Sequence, residues 1–180
     1  MIEFLYHPRH KPRVEKKPTA QEEAIARNVW KLLHDWKTPP GTQLGGGFSE
    51  ATFKQWLAKA RQLCIKSDRL EVAMIHVGCV LFYAPPDRDG LWIHRSVAAF
   101  LNRKDAEKSR IGFSQQVWNS RGVHWVDPTG APERALATEY RSKAEIIENE
   151  GFQRFAAMLR KIGDDYDNEA DRIIKDPNHC

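Results

Sequence analysis

Apolar residues recur every three or four positions along most of this chain, the period of a helix with one buried face. The clearest stripe is Phe152, Phe155, Leu159, Ile162, Tyr166, Ala170 and Ile173, opened by Gly151 and closed by Pro177. Ile25, Val29, Leu32 and Trp36 predict an earlier helix, with Thr19 and Glu22 forming a capping box at its start. In that motif the threonine oxygen accepts a free backbone N–H while the glutamate reaches back. Lys37-Thr-Pro-Pro-Gly41 stops the helix, and Thr42 to Gly47, with three successive glycines, is a loop. Ser49 then caps a helix carrying Phe53, Trp56, Leu57, Ala60, Leu63 and Cys64.

From Arg69 to Tyr83 the chain is apolar nearly all round, which predicts the buried centre of the fold. Its β-branched residues also suit a buried strand, but its length favours a helix begun by Asp68. Pro85 to Gly90 reads as a turn. His94–Arg103 predicts a short helix with Val97, Phe100 and Leu101 inward, and Asp105–Trp118 another with Ile111, Val117 and Trp118 inward. Pro132 sits in the first turn of the next, where its missing N–H costs nothing. Leu136, Tyr140, Ala144 and Ile147 mark that helix's face.

About seven helices joined by short loops predict an all-α fold, a bundle or stacked helical hairpins. Residues 19–176 are expected to form one helical domain. Residues 1–18 read as a basic, proline-punctuated arm or the tail of an upstream element, and 177–180 as a disordered tail. The apolar start, Ile2, Phe4, Leu5 and Tyr6, has no local partner in the sequence, which suits a piece of a longer protein. A Trp-x-x-Pro-x-Gly pattern recurs at Trp36 and Trp125, each time beside a helix end. Two copies of a turn-like pattern give only a hint of duplication.

Composition adds limits. Apolar residues make up 41% and charged residues 29%, ordinary for a soluble globular protein. No apolar run reaches the roughly 18–20 residues that span a bilayer, and the start has no signal-peptide layout, so no membrane partner is expected. The net charge is +4, and Arg9, Lys11, Arg13, Lys16 and Lys17, opposed by Glu15 alone, carry all of it. The neutral body differs from a fold built to neutralise phosphates, so contact with nucleic acid is expected only through those five cations. The three cysteines, Cys64, Cys79 and Cys180, form no Cys-x-x-Cys pair, and an odd count argues against a disulfide framework. Cys64 and Cys79 are expected to pack as small buried hydrophobes in a reducing, cytoplasmic compartment.

The stretch from Trp118 to Pro132 concentrates groups able to bind something, with Arg121, His124, Trp125 and Asp127 as candidates. Capping and turn chemistry account for much of it. Gly122 suits the left-handed residue that ends a helix, with Val123 packing back. Trp125 and Val126 suit the core, and Asp127-Pro-Thr-Gly130 suits a turn. Arg121 and His124 remain, and they suit a phosphate or a partner carboxylate. Gly45-Gly-Gly47 lacks the Lys-Ser/Thr of a phosphate loop. Asp164 to Glu169 lacks a calcium loop's glycine and reads as a solvated helix face. No His/Cys set has zinc spacing and no nucleophile motif occurs, so no metal, cofactor or catalytic set is expected.

One alternative is enzymatic. Arg27 and His34 stand seven residues apart, nearly on one helix face. With Asn28, the pair resembles the short Arg…His motif of HEPN-type ribonucleases, which are small helical bundles. That resemblance implies that Arg27 and His34 would activate a 2′-hydroxyl and hold the scissile phosphate. Arg69 with His76, Arg88 with His94 and Arg172 with His179 have similar spacings, which composition alone explains. The leading expectation is therefore a helical protein-interaction or regulatory domain, part of a larger bacterial-type system or of a longer chain. Its partner would be another protein or an upstream domain, met through exposed Trp92, Trp125, Arg95 or Arg121.

Overall fold

A computed structural model describes residues 5–10, 17–123 and 125–175. They form α1 (Ala20–His34), α2 (Glu50–Lys66), α3 (Leu70–Leu81), α4 (Arg95–Leu101), α5 (Glu107–Asn119), α6 (Ala131–Asn149) and α7 (Gln153–Lys175), with a 3-10 turn at Lys104–Ala106. The fold is all-α. Among the described residues an isolated antiparallel bridge, Thr42 to Phe48, is the sole β pairing, so the apolar stretch after Arg69 is helix and not strand. The capping box at Thr19 and the Ser49 cap are both present.

Two tight helix pairs make the body. α6 and α7 turn back on one another at Gly151, whose φ of 84° is left-handed, and pack along their length. Phe155, Leu159, Ile162, Tyr166, Ala170 and Ile173 of α7 are all buried there. α3 and α5 form the second pair, α5 also meets α7, and short α4 wedges against both. Phe113 of α5 joins the halves, edge-on to Phe155 at 5.4 Å and to Phe82 at 5.7 Å.

The α3–α5 crossing depends on missing side chains. A Cβ on Gly78 would fall 1.9 Å from the Ser109 carbonyl oxygen, and one on Gly112 would fall 1.8 Å from that of Ile75. Small residues thus face the crossing, and the Cys79 thiol donates to the Gly112 carbonyl at 3.3 Å. This reverses one expectation: Ile111 points partly outward, while Ser109, Gly112 and Phe113 are buried. Cys64 and Cys79 are half-buried, not core residues. The α3 helix starts at Leu70, after Asp68 takes a left-handed φ of 56° at the α2–α3 corner.

α2 lies on α3, and α1 is outermost. α1 ends at His34, two residues before Trp36, and its buried residues are Val29 and Leu33. Leu32, expected in the core stripe, is 60% exposed.

Candidate functional site

The outward position of Leu32 follows from how α1 seats. Val29 and Leu33 press α1 onto the body, and Leu32 is left on the lip of a groove that runs between α1, α2 and α3. The first half of α2 is anchored by buried Phe53 and Leu57. Its second half is not covered. Trp56, Ala60 and Cys64 are half-buried and Leu63 is 57% exposed. The resulting cavity has a volume of about 560 Å³, with Ala73, Met74, His76 and Val77 of α3 along its floor.

Aromatic contacts fix both ends. Trp36 meets Trp56 edge-on at 5.6 Å, and its indole N–H donates to the Thr38 carbonyl at 2.7 Å, holding the ring in place. At the other end, the Tyr6 hydroxyl and His76 Nε2 share a hydrogen bond of 2.8 Å. Tyr6 arrives on a segment clipped to the α2–α3 corner. Arg69 donates to the Tyr6 carbonyl at 2.7 Å, the His10 backbone N–H and Nδ1 each lie 2.7 Å from the Asp68 carboxylate, and Arg9 pairs with Glu71. Those contacts draw the Asp68 carboxyl below its usual range, chiefly through the His10 backbone N–H.

Burial pushes the Cys64 thiol up. The groove therefore presents a neutral sulfhydryl at pH 7, not a thiolate nucleophile. Burial also pulls the His76 imidazole below the ordinary histidine range. The unfolded chain then binds the extra proton more readily than the folded one. Stability tied to His76 is complete above about pH 6.5. It is lost as pH falls through that value toward the lower folded pKa, at no more than about 1.4 kcal/mol per pH unit. Urea denaturation between pH 7 and 5 is expected to show this slope and His76→Gln to remove it; an unchanged slope in the variant would assign it to another group.

The other candidates lie apart from the groove. Arg121 does not face solvent for an incoming anion. Its guanidinium donates at 2.6 Å to Glu133, which is 1% exposed, and sits 5.5 Å from the Tyr166 ring centre. Asp127 accepts the Thr129 N–H at 2.9 Å and its hydroxyl at 2.7 Å, the turn role its sequence suggests. These bonds, led by the Thr129 N–H, keep its carboxyl low. Trp125 is 91% exposed, as the interaction reading expected and against the core placement that the turn reading gave it, and Val123 is fully exposed instead of packing back. Gly122 is left-handed as anticipated, with φ of 60°, yet the helix end it makes directs those two side chains outward. His124 lies outside the described residues.

Arg27 and His34 are both on the exposed side of α1. Arg27 leans toward Glu23 at 4.0 Å, and His34 stacks on Trp30 at 5.0 Å, so the two are engaged separately. Of the basic arm, Arg9 is held by Glu71 and Lys17 is exposed, while Lys11, Arg13 and Lys16 lie outside the described residues. Arg95 pairs with Glu150, and Trp92 is half-buried beneath Lys143 at 5.2 Å.

One constellation escaped the sequence reading. Ser96 Oγ lies 2.8 Å from His94 Nδ1, and His94 Nε2 lies 3.8 Å from Asp87. Its atoms are spent on the start of α4: His94 Nδ1 accepts the Ser96 N–H at 3.3 Å and Asp87 accepts the Arg95 N–H at 2.8 Å. The backbone N–H groups of Val97 and Ala98 already bond to the His94 carbonyl, which leaves no oxyanion donors beside Ser96. The cluster caps a helix. The spacing Asp87, His94, Ser96 was visible, but it resembled an ordinary helix start.

Among the described residues no three His, Cys, Asp or Glu side chains gather to hold a metal ion, and no helix is long and apolar enough to cross a membrane. No protein-family model, curated protein or solved structure matches the chain.

Proposed function

We propose that this chain is a helical protein-interaction domain that receives a helical segment in the α1–α2–α3 groove. The supporting observation is the uncovered second half of α2, where Leu63 is 57% exposed beside a cavity of about 560 Å³ lined by two tryptophans. Trp56, Ala60, Leu63 and Cys64 form a run of apolar positions on one face of α2 that ends in open space. An open apolar channel between helices suits an amphipathic helix anchored at i, i+3, i+4 and i+7. The segment belongs to another protein or to an upstream domain of the same protein. Free Cys64 and Cys79 suit a reducing, cytoplasmic setting.

A leucine-faced helical peptide with uncharged flanks tests this reading by titration against Trp fluorescence. Binding is expected in the wild type. It should weaken at least tenfold in Leu63→Glu, which adds a charge at an exposed lip, and in Ala60→Trp, which fills the channel. Surface changes of the first kind alter stability by only about 0.5 kcal/mol, so both variants can be verified as folded by melting. Equal affinity in wild type and both variants would show that the peptide binds elsewhere.

A further inference from the structure

Most described cations on this protein are matched. Arg61 meets Asp105, Arg134 meets Asp167 and Asp171, Arg141 meets Asp164 and Asp167, and Arg160 meets Glu148. Beside the groove, two along the α2 edge are not matched. Lys59 and Lys66 stand four residues before and three after Leu63, on the same edge of α2. Lys31 and Lys37 stand farther off, beside Asp35 in a separate shallow pocket that shares only Leu32 and Trp36 with the groove. Among the described residues, Lys31, Lys59 and Lys66 have no acidic partner, and Lys37 lies over the Tyr83 ring at 5.8 Å. Asp68, at the far end, is already occupied by His10.

Resting on the docking reading above, we infer that the groove's partner is an acidic amphipathic helix, apolar on one side and carrying Glu or Asp along the flanks of that side. Shape sets the first half of this. Trp56 to Ser67 covers three turns of α2, about 17 Å at the helical rise. That matches a partner helix of about twelve residues. A small amphiphile fits less well, because ligand pockets bury most of their ligand and both lips here, Leu32 and Leu63, face water. A helix brings its own polar face to that water. Charge sets the second half, since the unmatched Lys59 and Lys66 beside Leu63 favour a partner of opposite sign and reject a basic one.

The test uses the full chain and three synthetic helices with one leucine face and Glu, Gln or Lys on its flanks, titrated at low salt against Trp fluorescence. The Glu-flanked peptide is expected to bind at least tenfold tighter than the Gln-flanked one, with the Lys-flanked peptide weakest. Salt should erase the difference. In the double variant Lys59→Glu/Lys66→Glu the order should invert, a rescue that a merely structural role for the lysines would not produce. Should that variant not fold, the single change Lys66→Glu serves, with the Glu advantage expected to fall severalfold. Three affinities within twofold of each other would overturn the charge inference and leave the docking reading standing. Failure of all three to bind would overturn both. Stronger displacement by laurate than by any peptide, or a dimer in sedimentation equilibrium that excludes the peptides, would overturn the inference in favour of a lipid-like ligand or a second copy.

Discussion

Replacing Gly112 by alanine is expected to lower the unfolding free energy by about 3 kcal/mol or more, at the upper end of the overpacking range. Alanine is the better helix former by about 1 kcal/mol, so propensity alone predicts the opposite sign. Sterics decide it. The added methyl carbon would sit 1.8 Å from the Ile75 carbonyl oxygen, a backbone atom that can move only if α3 and α5 separate. Gly78→Ala, 1.9 Å from the Ser109 carbonyl oxygen, is expected to behave alike. Gly163→Ala is the graded control: its new carbon would lie 3.0 Å from the Ala137 carbonyl oxygen, a gap that a few tenths of an ångström relieves. Guanidinium denaturation checks the series. Losses below about 1 kcal/mol at both Gly78 and Gly112 would mean that the helices cross at a greater distance than described, because a real overpacked contact costs at least that.

Arg121→Ala is expected to cost about 3–5 kcal/mol, because it strands the Glu133 carboxylate inside the protein. Glu133 is 1% exposed, and one of its oxygens has no hydrogen-bond partner even with Arg121 in place. Removing Arg121, its one ion-pair partner among the described residues, leaves a buried carboxylate without the charge that offsets its desolvation. The guanidinium also covers the Tyr166 ring, which stacks on Tyr140 at 5.8 Å. The double change Arg121→Met/Glu133→Leu, which removes both charges and keeps much of the volume, should recover most of the loss. A strongly non-additive double-mutant cycle is the signature to look for. Additive losses would show that the two side chains do not act as a pair.

These two sites also mark where sequence reasoning stops. The α7 stripe was legible because six apolar residues repeat the helical spacing and all are buried, chiefly against α6 and in part against α5. The α3–α5 crossing was not, because hydrophobic patterning weights large residues and this interface is built from Gly78, Ser109 and Gly112. The same bias assigned Ile111 and Leu32 to the core. The turn chemistry of Asp127 and the left-handed Gly122 could be read from local composition. The outward direction of Val123 could not, and for Trp125 local composition suited the core and the surface alike. Arg121 was singled out, yet its partner lies twelve residues away across a loop, beyond any helical period. For the groove, Trp56, Ala60, Leu63 and Cys64 were legible as one apolar face of α2. Whether another helix would cover that face depends on how α1 seats, which helical spacing does not encode.

The assignment of binding to α2's open side is tested most directly by the indole N–H resonances of the six tryptophans during titration with the Glu-flanked helix. Trp36 and Trp56 line the channel, whereas Trp125 stands exposed on the α5–α6 loop. The account predicts saturable shifts at Trp36 and Trp56 with Trp125 unmoved. Shifts confined to Trp125, with the channel pair silent, would place recognition on the loop and contradict it.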